Sequence, residues 1–286
     1  MKYISYRREG LYKGVRFIIA IESMTELVIG LPRIERAVDV LSDSIELLLE
    51  QYRSIALPLP KSLCADLVVE GIGGSEQTIE NISLRYYNPS LTRIWLSIIK
   101  KIPRLALEYP DSEIICYDED TRREELSEMG YKLVSLLIKT RLKIYGKIDP
   151  GPWIEFFKPK TKRSAEIPGT SVVIADGYMR FREILSIARW KRAEKLWKLI
   201  PTPLELLAMI AKGYLDEKHA EDAVRFSVRY LGDYVVRSKD LTEAYEKLLN
   251  DKEYLDLLRR IDPNIVKDIE PQDREESVYS VDRYTG

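Results

Sequence analysis

The acids that close one short apolar run carry the sharpest chemical suggestion in this chain. In EIICYDED, residues 113–120, the run Ile114–Tyr117 leads into Asp118, Glu119 and Asp120. Side chains two residues apart leave a strand end on the same side, so Asp118 and Asp120 are placed to share one cation. Mg²⁺ prefers oxygen ligands and keeps several of its own waters, which suits a carboxylate pair. Glu70 closes a second apolar run, LVVEG, 48 residues upstream. On this reading Asp118 and Asp120 are the metal ligands, and Glu70, Asp118 and Asp120 are the catalytic carboxylates. The plainer alternative is a solvated strand-to-helix loop, in which Asp120 or Thr121 caps the helix that begins at RREEL.

A second constellation is cationic and aromatic. Lys158, Lys160, Lys162 and Arg163 crowd KPKTKR, and Arg182, Arg189, Lys191 and Arg192 follow among Phe181, Trp190 and Trp197. Phosphate contacts require cations and base stacking requires exposed rings, so these residues form a candidate nucleic-acid-binding surface. Residues 141–200 hold 14 Lys and Arg against 6 Asp and Glu, a local excess that stands between two acidic flanks. The alternative is an ion-paired helix with its tryptophans in the core, since Arg182 adjoins Glu183 and Lys195 adjoins Glu194. The glycines of GIGG, 71–74, lack the Lys-Ser/Thr of a phosphate loop and read as a tight turn.

Composition narrows the remaining chemistry. His219 is the only histidine and lies in the polar stretch LDEKHAEDAV, which argues against imidazole-based catalysis. Cys64 and Cys116 are 52 residues apart and show no metal-ligand spacing; a disulfide between them is open. The net charge of −1 provides no global field for a polyanion. Charged residues make up 32% of the chain, with few Met and Cys, which is the composition of a heat-adapted protein. The charged start MKYISYRREG lacks the apolar core of a secretion signal, and no apolar run approaches a membrane span. A cytoplasmic protein is expected.

These residues need elements to position them. YISYRREG and LYKGVRFIIAIE read as two strands. Ile34, Val38, Leu41, Ile45, Leu48 and Tyr52 recur at helical spacing, predicting a helix over 33–52 that ALPLPK breaks. LVVEG and EIICYDE read as strands, with SEQTIENI as a short helix, SLRYY as a strand and SLTRIWLSIIKK as a helix between them. TRREELSEMG reads as a helix closed by Gly130, and YKLVSLLIKTRLKIY as a further strand. Interleaved strands and helices predict βαβ units. The expected fold is an α/β N-terminal domain with a mostly parallel or mixed sheet, followed by an all-α C-terminal domain. Its divisions are an α/β domain over 1–147, a Pro/Gly-rich basic connection over 148–175, a helical domain over 176–262 and a disordered tail over 263–286. Thr202-Pro203 with Glu205, and Asp240 with Glu243, read as helix starts.

The succession of LVVEG and EIICYDED, over about residues 65–140, resembles the toprim fold of topoisomerases, primases and some nucleases. That resemblance implies a Mg²⁺ site in which Glu70, Asp118 and Asp120 assist phosphodiester cleavage or transfer. Glu22 in IIAIES is similar to the VES opening of type I topoisomerases and competes with Glu70 for the same role. KGVRFIIAIESMTELVIG, 13–30, resembles the first strand of the RNA-binding backbone subunits of CRISPR surveillance complexes. The expectation is a nucleic-acid-handling protein with Mg²⁺-dependent phosphodiester chemistry. Its alternative is a non-catalytic nucleic-acid-binding or scaffold subunit of a larger, CRISPR-type complex. DNA and RNA are not distinguished; protein partners are open and no membrane is involved.

Overall fold

The structure, a computed structural model, describes residues 8–12, 15–19, 25–87, 89–120, 123–142, 148–158, 169–187, 189–267 and 284–285. Strands β1 (Arg8–Tyr12) and β2 (Val15–Ile19) form an antiparallel hairpin. The main sheet begins with β3 (Thr25–Leu31), and helix α1 (Glu35–Tyr52) leads to β4 (Ser54–Pro60). Helices α2 (Lys61–Val69), α3 (Glu76–Tyr86) and α4 (Pro89–Glu108) precede β5 (Glu113–Asp118). Helices α5 (Arg123–Leu142) and α6 (Gly151–Phe157) precede β6 (Val172–Asp176), and α7 (Tyr178–Ile187) leads to β7 (Trp190–Lys195). The C-terminal part is helical: α8 (Pro203–Ala211), α9 (Ala220–Arg229), α10 (Leu241–Leu249) and α11 (Lys252–Ile261). The chain is therefore an α/β sheet followed by helices, as its element pattern predicts. Strand β8 (Tyr284–Thr285) adds antiparallel to β7.

Local chemistry explains much of this. Of the stripe that spacing predicts, Ile34, Val38, Leu41 and Ile45 are buried and Leu48 and Tyr52 partly so, while Ala37 and Leu49 complete the buried face of α1. Thr202 and Glu205 form a reciprocal capping box at the start of α8, and Asp240 accepts from the Glu243 amide at α10.

Other elements depart from the sequence reading. LVVEG is not a strand: Leu67–Val69 end helix α2 and Glu70 is its C-cap. SLRYY is helical within α3, and the predicted helix and strand on either side of Gly130 are one helix, α5. SIALPLP is a strand although it contains Pro58 and Pro60. Proline donates no ladder hydrogen bond. Here β6 pairs with β4 only at Ile55 and Ala56, before the prolines, and the pairing with β5 shifts register between Leu57 and Pro60. VVIAD, expected in a connection, is the fully buried strand β6. ARWKRAEK, expected on a helix, supplies strand β7. The sheet thus reaches residue 195 rather than stopping near 147. Most of the expected tail lies outside the described residues.

The sheet order is β5-β4-β6-β3-β7-β8, and its first five strands run parallel. All their carboxyl ends therefore open on one edge. From β4 the chain moves outward to β5, whereas from β6 it moves the other way, over β3, to β7. Connections that leave adjacent strands in opposite directions open a crevice at the carboxyl edge, the place where α/β sheets gather ligands.

Candidate functional site

Three strand ends meet at this edge, and each brings a charged side chain. Leu31 ends β3, and Pro32 hands the chain to Arg33 before α1 begins. Asp118 ends β5 and Asp176 ends β6. Arg180, one turn into α7, leans back over the sheet.

Arg33 donates from Nε to Asp176 Oδ2 at 2.6 Å, and its Nη2 approaches the same oxygen at 2.6 Å. Arg180 Nη1 lies 2.6 Å from Asp118 Oδ1 and 3.8 Å from Asp176 Oδ1. Both of these Oδ1 atoms are buried; that of Asp118 is held by the Arg180 guanidinium, while that of Asp176 has no hydrogen-bond partner. The Asp176 side chain is 3% exposed, while that of Arg33 is half exposed and those of Asp118 and Arg180 about a quarter exposed. Asp176 thus lies at the floor, Asp118 and Arg180 lie at one intermediate depth, and Arg33 reaches the rim.

Burial pushes the Asp118 carboxyl up to about 6, with Arg180 pulling against it and the Asp176 charge adding to the rise. The Asp176 charge raises Arg33 further above its ordinary value, against burial. Burial also opposes the charge of Arg180, yet the neighbouring Tyr117, Asp176 and Asp118 leave it raised. The Arg180 guanidinium stacks 5.0 Å from the centre of the Tyr117 ring, and Tyr117 donates to the Ile174 carbonyl at 2.6 Å. Burial raises the Tyr87 hydroxyl beside the same acids.

A turn behind the floor fixes this geometry. Gly177 has φ +91°, and a Cβ there would lie 2.5 Å from Glu205 Oε1. Glycine at this position lets the Glu205 carboxylate reach the Met179 amide at 3.1 Å and cap the start of α7, which carries Arg180. Burial raises Glu205, while its hydrogen bonds to Thr202 and Met179 oppose that rise.

The acids singled out from sequence have separate partners. Glu70 is exposed and takes a two-bonded fork from Arg85, at 2.9 and 2.8 Å, which lowers its carboxyl. Asp120 accepts from the Ser62 amide at 3.0 Å and from the Ser62 hydroxyl. Asp118 faces Arg180. Among the described residues no three Asp, Glu, His or Cys side chains come together to hold a metal. Glu22 lies outside the described residues.

The basic block is also dispersed. Lys158 pairs with Glu155 at 2.7 Å. Lys160, Lys162 and Arg163 lie outside the described residues. Arg192 pairs with Glu194 on its own strand, and Trp190 donates from its indole to the Leu185 carbonyl at 3.1 Å. Arg182, Arg189 and Lys191 are exposed.

Sequence reasoning missed Arg33, Asp176 and Arg180. A signal existed for one of them: VVIAD repeats the apolar-run-then-Asp pattern of EIICYD. Arg33 carried none, because Asp176 lies 143 residues away; Arg180 stands four residues after Asp176, but its closer partner, Asp118, is distant in the chain. Among the described residues no helix is long and apolar enough to cross a membrane. No family model, no curated protein and no solved structure matches the chain.

Proposed function

We propose that the carboxyl edge of the sheet binds a phosphate ester, and that the ester belongs to a nucleotide or a nucleic-acid strand. One observation supports this reading. Carboxylates from two separate parallel strands, Asp118 and Asp176, meet at one arginine nitrogen, and the buried Oδ1 of Asp176 has no hydrogen bond. A buried acceptor without a hydrogen bond is rare and costly, so the Asp176 oxygen marks a place to look for a ligand.

The chemistry follows from the donors. Arg33 and Arg180 carry planar forks that match phosphate oxygens; Arg33 is half exposed and Arg180 about a quarter exposed. If Arg180 turns to a phosphate, its two carboxylates are left facing the same space. Mg²⁺ is suited to such a space, since it takes one or two carboxylates and completes its shell with water and phosphate oxygens. When bound, the ion would act as a Lewis acid on the phosphate. Without the ion, burial holds the Asp118 carboxyl up at about 6, so binding Mg²⁺ there would favour its ionised form. Asp176 takes the place that Asp120 and Glu70 held in the sequence-based expectation. The non-catalytic alternative uses the same arginines and stops at binding.

Calorimetric titration with MgCl₂, sodium phosphate and a 5′-phosphorylated oligonucleotide tests the reading. The phosphorylated oligonucleotide should bind, Mg²⁺ should strengthen that binding, and Arg180→Lys should weaken it roughly tenfold. Asp176→Asn and Asp118→Asn should each remove the Mg²⁺ dependence while the circular dichroism spectrum is kept. No heat with any of the three probes would overturn the reading. Binding without strand cleavage over a range of Mg²⁺ concentrations would select the non-catalytic form.

A further inference from the structure

A cavity of about 370 Å³ lies beside the start of β5, between α2 and α4. Val68 and Val69 of α2, Leu105 of α4 and Ile114 of β5 form much of its wall, with Tyr109 beside them. None of the described residues that line it is charged. Val69 is 80% exposed, so the cavity is open to solvent at the end of α2. Its size and its apolar lining are those of a small-molecule pocket.

One more residue of the wall, Cys64, makes this cavity different from an ordinary apolar hollow. Its sulfur is bonded to that of Cys116, and Cys116 does not belong to the wall. In thiol–disulfide exchange a thiolate attacks one sulfur and the other sulfur leaves. A thiol inside the cavity therefore meets Cys64, and Cys116 is the leaving group. The lining decides which thiols enter. Glutathione carries an ammonium group and carboxylates, and burying these without partners is costly. A thiol on a neutral, apolar body escapes that cost and gains from the burial of its carbon surface.

We propose that this cavity admits a small apolar dithiol, which reduces the Cys64–Cys116 disulfide through Cys64. One thiolate of the dithiol attacks Cys64 Sγ, the bond to Cys116 breaks, and Cys116 leaves as a thiolate and takes up a proton. The second thiolate of the dithiol then attacks the dithiol sulfur of the mixed disulfide, and Cys64 leaves and is protonated in turn. Two electrons and two protons pass to the protein, and the dithiol becomes a cyclic disulfide. The crosslink between α2 and β5 is then open. This exchange is independent of the phosphate-ester reading, because none of Arg33, Asp118, Asp176 and Arg180 lines the cavity.

Alkylation with iodoacetamide followed by mass spectrometry counts the free thiols of the folded chain during reduction. Dihydrolipoamide, a neutral apolar dithiol, should open the disulfide at least about tenfold faster than dithiothreitol or glutathione at equal thiolate concentration. Val68, 39% exposed, can take a charge without disturbing the core. Val68→Glu should remove the advantage of dihydrolipoamide, with the rate for dithiothreitol and the melting temperature unchanged. Benzyl mercaptan, which has one thiol, should form its mixed disulfide on Cys64, located by peptide mapping, and leave Cys116 free to alkylate. Equal rates for the three reductants would overturn the proposal. So would an advantage that Val68→Glu leaves intact, a mixed disulfide on Cys116, or a disulfide that opens only at the rate of global unfolding.

Discussion

Asp118 lies beside a cation and yet titrates near 6, because burial outweighs the pull of Arg180. The consequence for stability has a definite sign. A carboxyl whose folded value lies above its unfolded value contributes fully below the unfolded value, and that contribution is lost as the pH rises through the folded one. For Asp118 the window runs from an ordinary 3.8 to about 6. The loss across it approaches about 3 kcal/mol as an upper figure. Unfolding by urea at pH values from 4 to 8 should show the wild type losing stability across that window relative to Asp118→Asn. If the two profiles stay parallel, Asp118 does not titrate there. At this scale the sequence was partly legible. Asp118 was found because it ends a visible apolar run. Asp120 was grouped with it by spacing and Glu70 by the apolar run it closes, but neither reveals that Ser62 and Arg85 claim them first.

The element that steadies β5 is α2. Cys64 of α2 and Cys116 of β5 are joined as a disulfide, with 6.0 Å between their Cα atoms. Two residues before Cys64, Ser62 holds Asp120; two residues after Cys116 stands Asp118. The crosslink therefore ties together the two segments that present the acidic end of β5. It closes a span of 52 residues, for which chain entropy alone gives a stabilisation of about 4 kcal/mol. Cys64→Ala/Cys116→Ala should lower the stability measured by urea unfolding by an amount of this order, and a reducing agent should lower that of the wild type alike. An unchanged midpoint in both would refute the tie. Elements also show why some strands were hidden. The prolines of β4 look like breakers unless one knows that its ladder to β6 has already ended at Ala56. Strand β6 has only five residues and sits beside a Pro/Gly-rich stretch.

Across the whole molecule, one continuous apolar cluster runs from Leu27 and Val172 in the sheet to Leu206, Tyr245 and Leu257 in the helices. Tyr245 and Tyr254 stitch the two parts at their junction. The Tyr245 hydroxyl accepts from the Ile200 amide and lies within reach of the Lys198 and Ile200 carbonyls for its one proton, and Tyr254 donates to the carbonyl of Pro201. A shared core predicts that the two parts unfold together. Thermal unfolding should therefore give a single transition by calorimetry and by circular dichroism, with coincident midpoints. Two separated transitions would show that the sheet and the helices fold apart.

What the sequence determined by itself was local: the long amphipathic helix α1, the caps at Thr202 and Asp240, the general order of sheet before helices, and the acid at the end of β5. Each depends on residues within a few positions of one another, where periodicity and capping chemistry act directly. Only the tertiary structure decided who faces whom. Asp176 meets Arg33 across 143 residues, and Arg180 reaches Asp118 because β6 inserts between β4 and β3. Strand order is set by how buried faces match across the whole core, and no short window of sequence contains that information.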